Sequence, residues 1–190
     1  MLQNLKMPFL KKQLNLCQSN DFKSQRDLYD FFKSKVMGLC RRYTKSKEEA
    51  EDVFQETFIR VFQNIYQLHD VERLEQWIKQ IAVNAAVNYY HKNKRHQHAE
   101  ERNGYHQTND EYELILSHFS DEQLITLINN LPGGYRIVFN MYEVEGYSHA
   151  EIAALLQISE ETSRSQLNRA KQALKNKLKA FGIVKYEKYV

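Results

Sequence analysis

Proline and glycine are nearly missing from this chain: two prolines and six glycines in 190 residues. An all-β sandwich or barrel needs such residues at its many tight turns, so the composition disfavours that class of fold. Cysteine is as scarce. Cys17 and Cys40 stand far apart with no CxxC pair, which excludes a disulfide framework and the common zinc ribbons. A reducing, cytoplasmic compartment is the simplest expectation. No apolar run approaches the roughly 20 residues of a spanning helix. The early lysines are followed by no sustained apolar core, so no signal peptide is expected. An excess of one charge is lacking too, since 27 Lys and Arg against 24 Asp and Glu leave only +3. Partners must therefore be read from where the charges sit. Helix formers fill nearly every window. The expected fold is all-α: two small helical domains joined by a flexible linker, the C-terminal one a helix-turn-helix.

The residues up to about Asn20 read as a short leader with a first helix in PFLKKQLNLCQ. Asp21 can cap the next helix, whose stripe runs through Leu28, Phe31 or Phe32, Lys35 or Val36, and Leu39. Ser46 with Glu49 has the spacing of a capping box. Behind it Ala50, Val53, Phe54, Thr57, Phe58, Val61, Phe62 and Ile65 form an i, i+3, i+4 stripe. A loop, QLHDVERLE, follows.

The stretch WIKQIAVNAAVNYYHKNKR predicts a helix over 77–95 that is apolar on most of its circumference. Ile78, Ala82, Ala85 and Tyr89 share one face, and Val83, Ala86 and Tyr90 a second. A narrow stripe of Gln80, Asn84, Asn88, His91 and Arg95 remains, running into Lys92 and Lys94. Favourable placement of cations at a helix C-terminus explains the lysines and arginine, but not the amides and tyrosines. Amides suit base edges, aromatic rings stack on unpaired bases and cations hold phosphates.

From 96 to 122 there are seven carboxylates and one arginine, and few apolar residues, so 98–120 reads as an acidic linker. Helical periodicity returns in LITLINNL, breaks at Pro132 to Gly134, and resumes in YRIVFNMYEVEG until Gly146. Ser148 with Glu151 is a second capping box before a short helix with Ile152, Leu155 and Leu156 on its buried face. Gln157, Ile158 and Ser159 form a tight connection, and Ser159 caps a long helix with Leu167, Ala170, Leu174 and Leu178 inside. A short helix, a three-residue turn and a longer helix is the helix-turn-helix layout, in which the start of the second helix enters the major groove. Arg164, Gln166 and Arg169 are base or phosphate candidates there, and Thr162, Ser163 and Ser165 phosphate candidates.

No nucleophile–base pair, glycine-rich phosphate loop or paired carboxylate site appears, so no enzyme, cofactor or metal is expected. His91, His96 and His98 fit no zinc spacing. The alternative to be weighed is a one-component regulator whose first half binds a ligand or dimerises.

AEDVFQETFIRVF and WIKQIAVNAAVNYYHKNKR in the first half, then LPGGYRIVFNMYEVEGYSHAEIAALLQIS and TSRSQLNRAKQAL in the second, resemble the blocks of a bacterial ECF (extracytoplasmic function) sigma factor in order and spacing. The resemblance implies a region 2-like domain over 10–97 and a region 4-like domain over 121–182. It implies that Asp52, Gln55, Glu56 and Arg60 bind the clamp of the largest subunit of core RNA polymerase, with the flap as a second contact. The loop 68–74, with His69 and Asp70, would take a flipped base of the downstream promoter element. Asn84 and Asn88 would act at that melted edge, Trp77 would brace the loop, and His91, Lys92, Lys94 and Arg95 would hold DNA. Thr162, Ser163, Arg164, Ser165, Gln166, Asn168 and Arg169 would read the duplex upstream element. The implied partners are core polymerase, double-stranded and melted promoter DNA, and an anti-sigma factor as a separate chain; the free protein would be a monomer. Gln157 stands where the family usually has glycine, which implies a strained left-handed turn.

Overall fold

The computed structural model describes residues 2–97 and 121–180, and every regular element among them is helical. The chain divides into two compact units, Met1–Tyr89 and Tyr90–Val190. The acidic linker expected over 98–120 lies outside the described residues.

The first unit is built on α1 (Leu2–Gln18), α2 (Phe22–Tyr43) and α3 (Lys47–Asn64), then two 3-10 turns (Ile65–Gln67 and Val71–Arg73) and, up to Tyr89, α4 (Leu74–Gln97). Asp21 starts α2 as expected, its carboxylate accepting the Ser24 N–H at 2.7 Å. Hydrogen bonding to Ser24, to its side chain first and then to its N–H, holds the Asp21 pKa below the ordinary value. Ser46 starts α3, but only half of the predicted box forms. Ser46 Oγ accepts the Glu49 N–H, while the Glu49 carboxylate accepts from the Lys45 N–H rather than from Ser46.

Leu28, Phe32, Val36, Leu39 and Cys40 of α2 are buried, as are Ala50, Val53, Phe54, Phe58 and Val61 of α3. These two helices pack on each other. The Tyr29 ring closes the seam against Phe58 at 4.7 Å and Phe54 at 5.7 Å. Each large apolar side chain removed from water contributes on the order of 2–3 kcal/mol to the stability of the unit. The N-terminal leader is not an appendage: Leu10, Leu14 and Cys17 are buried, and α1 packs on α2 and on both 3-10 turns. Three apolar residues at 10, 14 and 17 suffice because they share one helical face. α4 begins at Leu74, earlier than the predicted 77, because Leu74 is wholly buried and belongs to the core.

The second unit contains α5 (Asp121–Asn129), α6 (Gly133–Phe139), a π-helical turn (Asn140–Val144), α7 (His149–Leu156) and α8 (Glu160–Ala180). Two cations close the end of α5. The buried Arg136 donates to the Asn129 carbonyl at 3.1 Å, and Lys177 to the Asn130 carbonyl at 3.0 Å. This is where a helix carries its partial negative charge. The predicted single helix through 135–145 widens instead at 140. There the Glu145 N–H reaches back to the Asn140 carbonyl at 2.9 Å, and the buried Asn140 amide donates to the Arg136 carbonyl at 3.0 Å. Gly146, at φ +78°, ends it.

The Ser148–Glu151 box is complete. Gln157 takes up φ 54°, ψ 47°, the left-handed conformation expected from its place in the turn. Ser159 Oγ accepts the Thr162 N–H at 3.0 Å and so caps α8. Leu167, Ala170, Leu174 and Leu178 of α8 and Ile152 and Leu156 of α7 are buried, the interior of a helix-turn-helix.

Candidate functional site

Three surfaces carry the predicted residues. On α3, Asp52, Gln55 and Glu56 face solvent, opposite the buried Val53, Phe54 and Phe58. Arg60 is half-buried, with its Nε 2.6 Å from Glu56 Oε1. Sequence reasoning missed Ile59, which is 52% exposed on this polar face. The signal was present: an isoleucine out of register with the apolar stripe at 53, 54, 57, 58 and 61.

The second surface is the loop after α3 together with α4. Leu68 is buried, and His69 and Asp70 next to it are exposed. Asp70 is partly engaged within the loop, accepting the Glu72 N–H at 2.9 Å and pairing with Arg73 at 3.3 Å. Its carboxylate caps the second 3-10 turn, so it shapes the loop as well as facing outward. Tyr66, 60% exposed just before the loop, was not singled out from sequence. On α4, Gln80, Asn88 and Lys92 are exposed and Asn84 and His91 half-buried, while Ile78, Ala82, Val83, Ala85, Ala86 and Val87 are buried. The amide stripe therefore lies on the wet side. Lys94 and Arg95 fall on the last turn of α4. Trp77 is half-buried.

The third surface is the start of α8, where the structure sorts the predicted residues. Arg164 is exposed and bonded to Glu160 at 2.6 Å, one turn earlier. Thr162 is exposed, its hydroxyl 2.8 Å from Ser159 Oγ inside the cap. Ser165 and Asn168 are half-buried. Gln166 is also half-buried, and its amide lies over Gly134, where an added methyl would meet it at 3.4 Å. Arg169 reaches the Tyr135 hydroxyl at 3.4 Å. Ser163 corrects the sequence reading. It is wholly buried, with its hydroxyl 2.9 Å from His149 Nδ1, so it packs α7 on α8 and offers nothing to a phosphate. The cations of this helix are also less free than the sequence suggests, since Lys171 pairs with Glu143 at 2.7 Å.

Among the described residues, no group of three or more His, Cys, Asp or Glu side chains is placed to hold a metal ion, and no helix is long and apolar enough to cross a membrane. Burial pushes the Cys40 thiol up to about 12 and, with Asp21 and Asp27 nearby, Cys17 to about 11.

Residues 28–96 match the family model for sigma-70 region 2, and residues 121–174 that for sigma-70 region 4. The chain is similar to the ECF RNA polymerase sigma factor SigW of Bacillus subtilis, 25% identical over 181 residues that span 90% of this chain and 97% of the relative. It is likewise similar to the ECF RNA polymerase sigma-E factor of Haemophilus influenzae, 28% identical over 172 residues, 85% of this chain and 90% of the relative. A solved structure titled "Structure of CnrH in complex with the cytosolic domain of CnrY" aligns with a TM-score of 0.49 and 17% identity, over 90% of this chain and 98% of that one. With both sigma-70 regions present in order and relatives matched along nearly their whole length, the chain belongs to the sigma-70 family, among its ECF sigma factors.

Proposed function

We propose that this sigma factor binds core RNA polymerase through the outer face of α3, opens the downstream promoter element with the 68–74 loop and the amide stripe of α4, and reads the upstream element with the start of α8. The observation that carries the reading is the α3 surface. Asp52, Gln55, Glu56 and Ile59 lie at helical spacing on a solvent-facing strip, an apolar side chain set among polar ones. Such a strip suits a protein partner better than water.

On α4 the exposed amides supply donors and acceptors for base edges, and the cations that follow supply phosphate contacts. On α8, Arg164 and Thr162 are the outward groups, and binding trades the Arg164–Glu160 pair for a phosphate or base. That exchange costs little, because an exposed pair is worth only about 0–1 kcal/mol. The proposed limits are 10–97 for the polymerase-binding and melting domain, 98–120 for the linker and 121–182 for the upstream-element domain. A separate anti-sigma chain and the polymerase flap complete the proposed partners.

The test is co-elution of the purified full chain with sigma-free core polymerase, with an Asp52→Arg, Gln55→Ala double variant as control. Co-elution of the parent and its loss in the variant support the reading. Absence of co-elution with retained duplex binding overturns it in favour of a one-component regulator.

A further inference from the structure

The loop proposed to take a downstream base is held at its base by a residue from the N-terminal helix. Gln18, the last residue of α1, donates its side-chain amide to the Leu68 carbonyl at 2.7 Å and to the Ile65 carbonyl at 3.3 Å. These two carbonyls mark the ends of the first 3-10 turn, which the Leu68 N–H already closes onto Ile65 at 3.2 Å. The Leu68 carbonyl shares a rigid peptide plane with the His69 N–H. Fixing that oxygen fixes the direction in which the chain leaves toward His69 and Asp70, both exposed. Leu68 is thus anchored twice, by its buried side chain and by its carbonyl.

The platform is itself firm. Leu10, Leu14 and Cys17 of α1 are buried, and Gln13 donates to Asp27 of α2 at 3.3 Å. Past the turn, Asp70 caps the next one through the Glu72 N–H. The exposed tip therefore lies between two fixed points, and a loop fixed at both ends presents its side chains in one geometry.

We infer that Gln18 is a positioning residue for downstream-element recognition: it touches no DNA, and sets the pose of the 69–70 tip through the Leu68 carbonyl. This rests on the reading of 68–74 as the base-taking loop. Removing the donor leaves two acceptors without it and frees the turn, and a hydrogen bond of this kind governs about a twofold to tenfold change in an equilibrium.

The experiment uses the full chain with core polymerase on a promoter library randomised over the downstream element, scored by transcripts. Gln18→Met keeps the length and packing of the stem and removes the donor. The expected result is a threefold to tenfold loss of discrimination between the preferred and substituted bases at one downstream position. Polymerase co-elution and binding of upstream-element duplex stay at parent level, and amide resonance changes are confined to the neighbours of residue 18 and to 65–70. His69→Ala is run beside it. If His69→Ala alters the preference and Gln18→Met does not, the inference about Gln18 fails and the loop reading stands. If neither alters it, the loop reading fails and the inference with it. Should Gln18→Met prove unfolded, Gln18→Asn decides, because it keeps the amide but withdraws it by about one bond length. Parent-level discrimination in that variant overturns the proposal, and reduced discrimination upholds it.

Discussion

His149 Nδ1 lies 2.9 Å from Ser163 Oγ, and this bond joins the first residue of α7 to the first turn of α8. The His149 ring also stacks on Tyr142 with centroids 4.4 Å apart. Burial, and after it the charge of Arg164, lowers the His149 pKa below 6.5; Glu160 and Glu143 act the other way, and Lys171 adds to the lowering. An unfolded histidine takes its proton near 6.5, whereas the folded one takes it only at lower pH. Just below 6.5 the unfolded state binds more protons, so this contribution to stability is present above 6.5 and lost as pH falls through the folded pKa. Urea unfolding of the full chain at pH 7.5 and 5.5 should show the second unit weakening at the lower pH, and His149→Gln should flatten the change. Ser163→Ala should cost about 1 kcal/mol at pH 7.5, because the imidazole nitrogen loses its partner in a closed seam. An unchanged midpoint in Ser163→Ala would show the bond to be idle.

Gln157 sits at φ 54° between α7 and α8. A residue with a Cβ is strained there, on the order of 1 kcal/mol, and glycine is not. Gln157→Gly therefore raises the stability of the second unit by up to about 0.6 kcal/mol, the strain relieved less the roughly 0.4–1 kcal/mol of added freedom in the unfolded chain. Thermal unfolding measures it. Gln157→Ala, which keeps the Cβ, should show no such gain, and an equal gain in both variants would contradict the strain argument.

Neither thiol should react in the folded protein. Cys17 and Cys40 are buried, with pKa values pushed to about 11 and about 12. At pH 8 the thiolate, which is the nucleophile, is a minor species in both. Pulsed alkylation should therefore track global opening of the first unit, with both cysteines labelled together as denaturant rises. Rapid labelling of Cys17 alone in buffer would mean that α1 detaches independently, which its packing on α2 argues against.

Local rules made much of this molecule legible in its sequence. The α3 stripe, the Ser148–Glu151 box and the turn at Gln157 each follow from a few neighbouring residues, and the structure contains all three. What escaped was set by tertiary contact. Ser163 looks like a phosphate ligand because it is polar and lies at the start of α8; only the fold brings His149 against it. Asn140 reads as an ordinary helical residue, yet it is wholly buried, begins the π-helical turn and turns its amide onto the Arg136 carbonyl. The first helix of the leader was legible, but its place in the core was not: Leu10, Leu14 and Cys17 are all interior. Ile59 is a different case: the apolar stripe leaves it out, and its register alone puts it outside the core.

Ile59 supplies the most direct test of the α3 surface. Its side chain is 52% exposed, on the strip that also carries Asp52, Gln55 and Glu56. Replacing an exposed helical side chain that packs on nothing else changes stability by no more than about 0.5 kcal/mol. Replacing an apolar anchor at the centre of a protein interface costs at least about 1.4 kcal/mol, a factor of ten in affinity. Ile59→Asp separates these outcomes, since it adds both polarity and a charge beside Glu56. If α3 is the polymerase face, Ile59→Asp unfolds at the parent temperature, keeps its binding to upstream duplex, and loses tenfold or more in affinity for core polymerase by titration. Ile59→Leu, which preserves the apolar contact, should stay within threefold of the parent. Parent-level affinity in Ile59→Asp would place the polymerase contact elsewhere on the chain. A lowered unfolding temperature with affinity unchanged would make Ile59 a structural residue despite its exposure.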